Sequence, residues 1–598
     1  MKTDNIKEKN RKYGWRLLSI LPVVVLSGLV SVAGADYSLP PNRSIDWSKA
    51  GVEGGIPGRT TTYVTIKPSG GDDTSIITTA ITNCPTGQAV QLDTGNFKIS
   101  GPITLKSGIT LRGKGPANTK IFSTFQGADT NMQGTIRIGS SGSLGWYSSP
   151  WPCPSASQYT TVTGNLPKDS TAITVASIAG LSVGDVISVS QTNDTSYVKL
   201  NVQYGGCSYC GVCGGSRRQQ QLTEIKAING NVLTIDPPLA MSYNSAFSPW
   251  VARLYTMISN AGVEDLYLEQ PASNTQYSAF EISFAKNCWI KNVETKNTQR
   301  RTVFGYGMFR CTIRDSYFHD SLGAGGTGSD ADNGSDHGYG VSLQNMCSYV
   351  LVENNRFDKV HVSLMLDGGP GSGNVFGYNY VTNQKYKDNV VLQPDIAVHS
   401  SFPSMNLIEG NYIYRIINDT IHDGNGYNTY FRNYIRREKD LAAFRGVSAI
   451  TEMQQCFDNE AGSYWTSIVG NVLGFSGMSG QYQWYNQTCS YGSGDRGVYK
   501  IGYPGAVACS STGNDTMVMD TTIRHGNFDY INNRVLWNGT DSQSLPASLY
   551  LSSKPAFLGN SAWPVIGPDV SPMYPSVSVG ARMPWYSGVL PAPYLRTP

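Results

Sequence analysis

Histidine is scarce in this chain, six in 598 residues, and five of the six (His319, His337, His361, His399 and His422) crowd into one stretch. Two of them share a phase with an aspartate. Asp367 stands as far before Asn379 as His399 stands before Asn411, and His422 is one position closer to Asn433; each ends a short apolar run, SLMLD, DIAVH and DTIH. An imidazole titrates near neutral pH and serves as a general acid or base, and a carboxylate beside it serves as base, nucleophile or orienting group. Asp395 and Asp419 just upstream of the two histidines, and Asp423 just after, add carboxylates to the same region. Arg415, Arg432 and Arg436 offer cations, and Tyr378, Tyr380, Tyr412, Tyr427 and Tyr434 offer flat rings of the kind that pack against sugar C–H faces.

Two chemistries suit that set. Hydrolysis of a glycosidic bond needs two carboxylates about 5–5.5 Å or about 6.5–9.5 Å apart, with Asp367 pairing Asp395, Asp419 or Asp423. β-Elimination needs a base for the proton α to a uronate carboxylate and a cation for the charge that develops. His399 or His422 is then the base, a tyrosine or the other histidine the acid, and Arg415 or Arg432 the cation. Neither reaction requires a cofactor.

Equal spacing matters only if the chain repeats, and it does. A six-residue phrase recurs as VEDLYL, IKNVET, IRDSYF, VENNRF, FGYNYV, IEGNYI, YFRNYI, IVGNVL and YINNRV, with Leu266, Val293, Ser316, Asn355, Asn379, Asn411, Asn433, Asn471 and Asn533 in fourth place. The shortest spacings, as from Asn355 to Asn379 and from Asn411 to Asn433, fit one turn of a parallel β-solenoid; longer ones are turns carrying loops. Stacked strands lie about 4.8 Å apart, so the spacing predicts Asp367, His399 and His422 in one column, extended by Gln344 and Asn459. The recurring asparagines are expected to form a structural ladder where the chain bends.

The repeat over about 255–540, together with the opening stretch DDTSIITTAITNCPTGQAVQLDTGNFKISGPITLKSGITLRGKG, resembles the pectate-lyase-like superfamily of right-handed parallel β-helices. The resemblance implies an all-β fold: a parallel β-helix over 251–544 after an amino-terminal cap and first coils over 36–125. In that cap, Asp73-Thr74 precedes a short helix presenting Ile76, Ile77, Ala80 and Ile81. It does not imply one activity, since the superfamily holds lyases, hydrolases, epimerases and adhesins. The rival to catalysis is a non-enzymatic surface or adhesive solenoid that uses a polar column to bind glycan or matrix.

Residues 126–250 interrupt the repeat with hairpin signals at Gly184-Asp185 and Asn229-Gly230 and read as a small inserted β-module. Residues 545–598 hold 10 of the 30 prolines and are expected to cap the open end of the solenoid. Residues 1–35 combine a basic start, an apolar run from Leu17 to Val32 and Ala33-Gly34-Ala35, the pattern of a secretory signal peptide. Six of the 46 basic and two of the 43 acidic residues lie there, so the remainder is close to neutral and has no electrostatic footprint for nucleic acid. The expected product is secreted, extracellular, periplasmic or on the cell surface, with no stable membrane span after cleavage and a polysaccharide as partner. Eleven cysteines suit an oxidising compartment. Cys207, Cys210 and Cys213 are expected to staple a loop; as thiolates they would be three metal ligands. The Gly/Asp/Asn loop over 321–340, with Asp330, Asp332, Asp336 and His337, has a composition that suits Ca2+.

Overall fold

The computed structural model describes residues 35–125, 134–139, 154–155, 157–200, 207, 210–253, 257–271, 278–322, 338–386, 389–484, 496–504 and 514–575. Residues 1–34 of the expected signal peptide, most of the 321–340 loop and the stretch 576–598 lie outside them. From Arg301 onward each coil contributes three strands, as in Leu364–Asp367, Val375–Gly377 and Tyr380–Thr382, followed by Ile396–His399, Leu407–Glu409 and Tyr412–Ile413. Equivalent strands pair in parallel, with Asp367 opposite His399, Phe376 opposite Ile408 and Tyr380 opposite Tyr412. The first strands of the coils stack into one wall, and the second and third merge into a 22-stranded sheet bent at a corner. The chain is a right-handed parallel β-helix.

Strand alternation makes the core. On the first wall Val341, Leu343, Leu364, Leu366, Ile396, Val398 and Ile416 point inward and are fully buried, stacked on one another from coil to coil. Each such side chain stabilises the fold by about 1.5–3 kcal/mol relative to exposure. The residues between them point outward, and these build the site.

Two asparagine ladders hold the corners. Between the second and third walls, the backbone N–H of Asn355 donates to the Asn379 side-chain oxygen, and the pattern repeats from Asn379 to Asn411, Asn433, Asn471 and Asn527. The last rung is Asn527, not the expected Asn533. Asn533 lies in an antiparallel hairpin, Asn527–Asp529 with Arg534–Leu536, that ends the stack. A second ladder, Asn374 to Asn406 to Asn428, holds the turn between the first and second walls. Beside the first ladder each corner has one left-handed residue, among them Asn354, Tyr378, Gly410 and Arg432, which reverses the chain over a very short span.

The inserted module is a six-stranded antiparallel sheet running from Tyr159 to Ala252. Strand Gly134–Gly139, inside the span read as the insertion, instead belongs to the first wall, between Ile103–Leu105 and Ser278–Lys286. In helix Thr74–Asn83, Ile77, Ala80 and Ile81 are buried, but Ile76 is exposed. The described Pro-rich segment does not sit on the end of the solenoid. It runs along the corner of the second and third walls, where Tyr550 donates to Glu353, the Leu549 N–H to Glu409, Trp563 to Tyr378 and Arg432 to Asp569. No helix among the described residues is long and apolar enough to cross a membrane.

Candidate functional site

One outward column lies at the end of the first wall, where each strand gives way to the turn toward the second. In-register pairing sets Tyr306 beside Gln344, Gln344 beside Asp367 and Asp367 beside His399. Val398 pairs with Asn418 and Asn418 with Asn459, so the residues one further on, His399, Asp419 and Glu460, continue the column. The expected neighbours Asp367 and His399 do meet. Asn459 does not extend their column: it pairs with Asn418, whose side chain it accepts a hydrogen bond from inside the coil.

His422 misses the strand for a simple reason. The register equivalent of His399 in its coil is Asp419, which stands farther from the next ladder asparagine than His399 does from its own, and the extra chain lifts His422 into the turn. It still returns to the site. Its ring lies perpendicular to that of His399 with centroids 4.6 Å apart. A ligating atom from each of Asp367, His399 and His422 falls within 4.8 Å of the others.

His399 Nδ1 lies 2.6 Å from Asp419 Oδ2. With the carboxylate accepting from Nδ1–H, Nε2 carries the ring's lone pair. Asp367 is buried, accepts from the Gln344 amide and has the Arg301 guanidinium 3.6 Å away. The His399 side chain is 22% exposed, enough for a substrate to reach. Glu460, missed at the sequence level, accepts from the Thr420 N–H and the Tyr503 hydroxyl. Burial, and then the nearby Asp419 charge, push its carboxyl up to about 8. It stands as far before Asn471 as Gln344 stands before Asn355, and that shared phase was the available signal.

The inserted module borders this end of the wall. Arg218 Nε donates to Asp423 at 2.6 Å, and the Gly211 N–H donates to Asn345 at 2.9 Å. Cys207 and Cys210 are joined in a disulfide, and Cys213 is also disulfide-bonded, so the three-thiolate metal reading is excluded. Asp423 therefore anchors the module instead of acting in the column.

Other expected groups lie elsewhere. Asp395 faces outward at the opposite end of the His399 strand, about 13 Å away. There it is buried and accepts from Gln384 and the Tyr414 N–H, and burial pushes its carboxyl up to about 7. Arg415 is buried against Asp458 and the Leu392 carbonyl. Arg432 and Tyr378 are left-handed corner residues, so their side chains project from the elbow under the Pro-rich segment: Arg432 pairs with Asp569, and Tyr378 accepts from Trp563. Tyr412 is buried between the rings of Tyr380 and Tyr434. Tyr427 alone of the expected sugar contacts shares the turn of His422, with its ring stacked on Trp465. His361 packs between Tyr339 and Tyr386, and His319 lies between Glu294 and Asp320.

No family model matches the chain, and no curated protein matches it. Among solved structures, the tailspike gp61 of Pseudomonas phage phi297 is 13% identical over 76% of this chain, with a TM-score of 0.46. The A-module of Azotobacter vinelandii mannuronan C-5 epimerase AlgE4 is 13% identical over 73% of this chain and 93% of its own, with a TM-score of 0.31. PfbA, a surface adhesin of Streptococcus pneumoniae, is 13% identical over 69% of this chain and 88% of its own, at 0.30. The chain spans 62% of the length of the phi297 tailspike. At these scores the likenesses carry no argument about activity.

Proposed function

We propose that this is an exported enzyme that cleaves a glycosidic bond of a polysaccharide at the column from Asp367 to Glu460. The observation that carries the reading is the 2.6 Å pairing of His399 with Asp419, beside Asp367, on the outer face of a parallel wall. An outward polar row that contains an oriented imidazole is what proton transfer to and from a bound chain needs. Tyr427 and Trp465 supply an aromatic surface beside the same turn.

Hydrolysis is the leading chemistry. Asp367 and His399 stand one coil step apart, about 4.8 Å along the stack, and serve as the acid–base pair, with Asp419 holding the His399 ring. In that reaction one group takes a proton from water as its oxygen bonds to the anomeric carbon, and another protonates the departing sugar oxygen. Elimination is the second reading, favoured by the Asp419-oriented His399 as base. It ranks lower because Arg415 and Arg432, the cations expected to neutralise a uronate, are held by Asp458 and Asp569.

Incubation with a panel of neutral and uronate polysaccharides tests this, reading new reducing ends and the ultraviolet absorbance of unsaturated ends in parallel. Reducing ends without absorbance are expected. Absorbance as well would assign elimination, and retention of a glycan with no cleavage would leave an adhesive solenoid and sink the enzymatic reading.

A further inference from the structure

The groups at the head of the column also have the composition of a metal centre. Asp367, His399 and His422 present one carboxylate oxygen and two imidazole nitrogens, all within 4.8 Å of one another. An ion about 2.0–2.1 Å from each ligand in tetrahedral geometry needs them about 3.3 Å apart. His422 lies in the turn after the wall, not in a strand, so its side chain can close on the other two by rotation, and the Asp367 and His399 side chains close the remaining gap by their own rotamers.

A second, independent feature is the set of groups behind the ligands. Metal-binding histidines usually hold a carboxylate on their other ring nitrogen, which fixes the tautomer and raises basicity. Asp419 does this to His399 at Nδ1, and Gln344 donates to Asp367 and fixes that carboxylate in turn. Both partners are buried. The adjacent cysteines do not compete, because Cys207 and Cys210 are bonded to each other and present no thiolate.

We propose that Asp367, His399 and His422 bind one divalent transition-metal ion of the zinc type. Two imidazoles and one carboxylate select zinc, cobalt or nickel over Ca2+, which prefers six to eight oxygen ligands. The site does not depend on the cleavage reading, but its consequence does. The lone pairs of Asp367 and His399 cannot hold an ion and accept a proton at once, so zinc occupancy switches acid–base cleavage off.

Calorimetric titration of zinc chloride into chelator-treated full-length protein, with the disulfide intact, is the test. One equivalent of zinc binds, Ca2+ gives no heat, and Co2+ gives a visible spectrum of histidine ligation. Asp367→Asn and His422→Ala, both checked by melting temperature, each weaken binding at least 100-fold, and Asp419→Asn weakens it about 10–100-fold. Absence of zinc binding, or affinity unchanged in both Asp367→Asn and His422→Ala, would overturn the site. Cleavage assays with and without zinc keep the two readings apart. Zinc that binds and inhibits supports both, whereas zinc that binds and stimulates leaves the site standing and removes the acid–base column.

Discussion

At the residue scale, the site reduces to a short run of outward positions whose roles follow from their neighbours. Asp419 fixes the His399 ring, so Asp419→Asn leaves the imidazole in place but weakens control of its tautomer. Cleavage by Asp419→Asn is expected to fall at least 10-fold in kcat with little change in KM, a split that a merely structural role would not give. Glu460 and Asp395 are pushed up to about 8 and about 7 from 4.5 and 3.8, mainly by burial. In both, the folded state holds a proton that the unfolded chain has lost, so each contribution is full below about pH 4 and is lost as pH rises toward 7–8. Melting temperature followed from pH 5 to pH 8 should therefore decline less in Glu460→Gln and Asp395→Asn than in the wild type. An identical decline in all three would remove burial of these carboxyls as its cause. The pairing of Asp367 with His399 was legible in the sequence, because both stand equally far before a ladder asparagine. The position of His422 was not, since a slightly longer turn shifts the count without leaving a mark in the pattern.

At the element scale, the corner is the repeating unit that sets register. Each ladder asparagine satisfies a backbone N–H of the preceding coil and donates its own amide to a carbonyl, as Asn411 does to Phe376. Asn411→Ala leaves buried groups unpaired and should cost about 1–3 kcal/mol, read as a lower denaturant midpoint. Asn533→Gly, in the terminal hairpin, keeps the left-handed turn and should stay within about 0.5 kcal/mol. Equal effects would mean that the ladder does not hold the corners. The first ladder was visible as a column of like residues at fixed phase. The second, Asn374 to Asn406 to Asn428, was equally legible, since its members stand five residues before Asn379, Asn411 and Asn433 in turn. The same corners explain why Tyr378 and Arg432 were misplaced: a strand pattern shows alternation, but it does not show which residue takes the left-handed conformation that turns a side chain onto the elbow.

At the scale of the whole molecule, low charge and abundant glycine fit a long stack with tight corners, and the non-repeating parts brace it from outside. The described part of the Pro-rich segment is fastened laterally through Arg432 and Asp569. Arg432→Ala should loosen it, seen as faster proteolysis between residues 545 and 575 with the solenoid still folded. Proteolysis at the wild-type rate would mean that the ion pair does not hold the segment. The sequence carried the parallel coils because their period repeats, while the lateral path of this segment depends on contacts with several separate coils that no local pattern encodes. The inserted module is fixed beside the column by Arg218 and Asp423 in the same way. What the assembly presents, on this account, is one reactive row along an otherwise structural wall. The most direct measurement is the rate of reducing-end release from whichever polysaccharide the wild type cuts, compared between wild type and His399→Ala at equal melting temperature. The account predicts a loss of at least 100-fold; release by His399→Ala at the wild-type rate would contradict it.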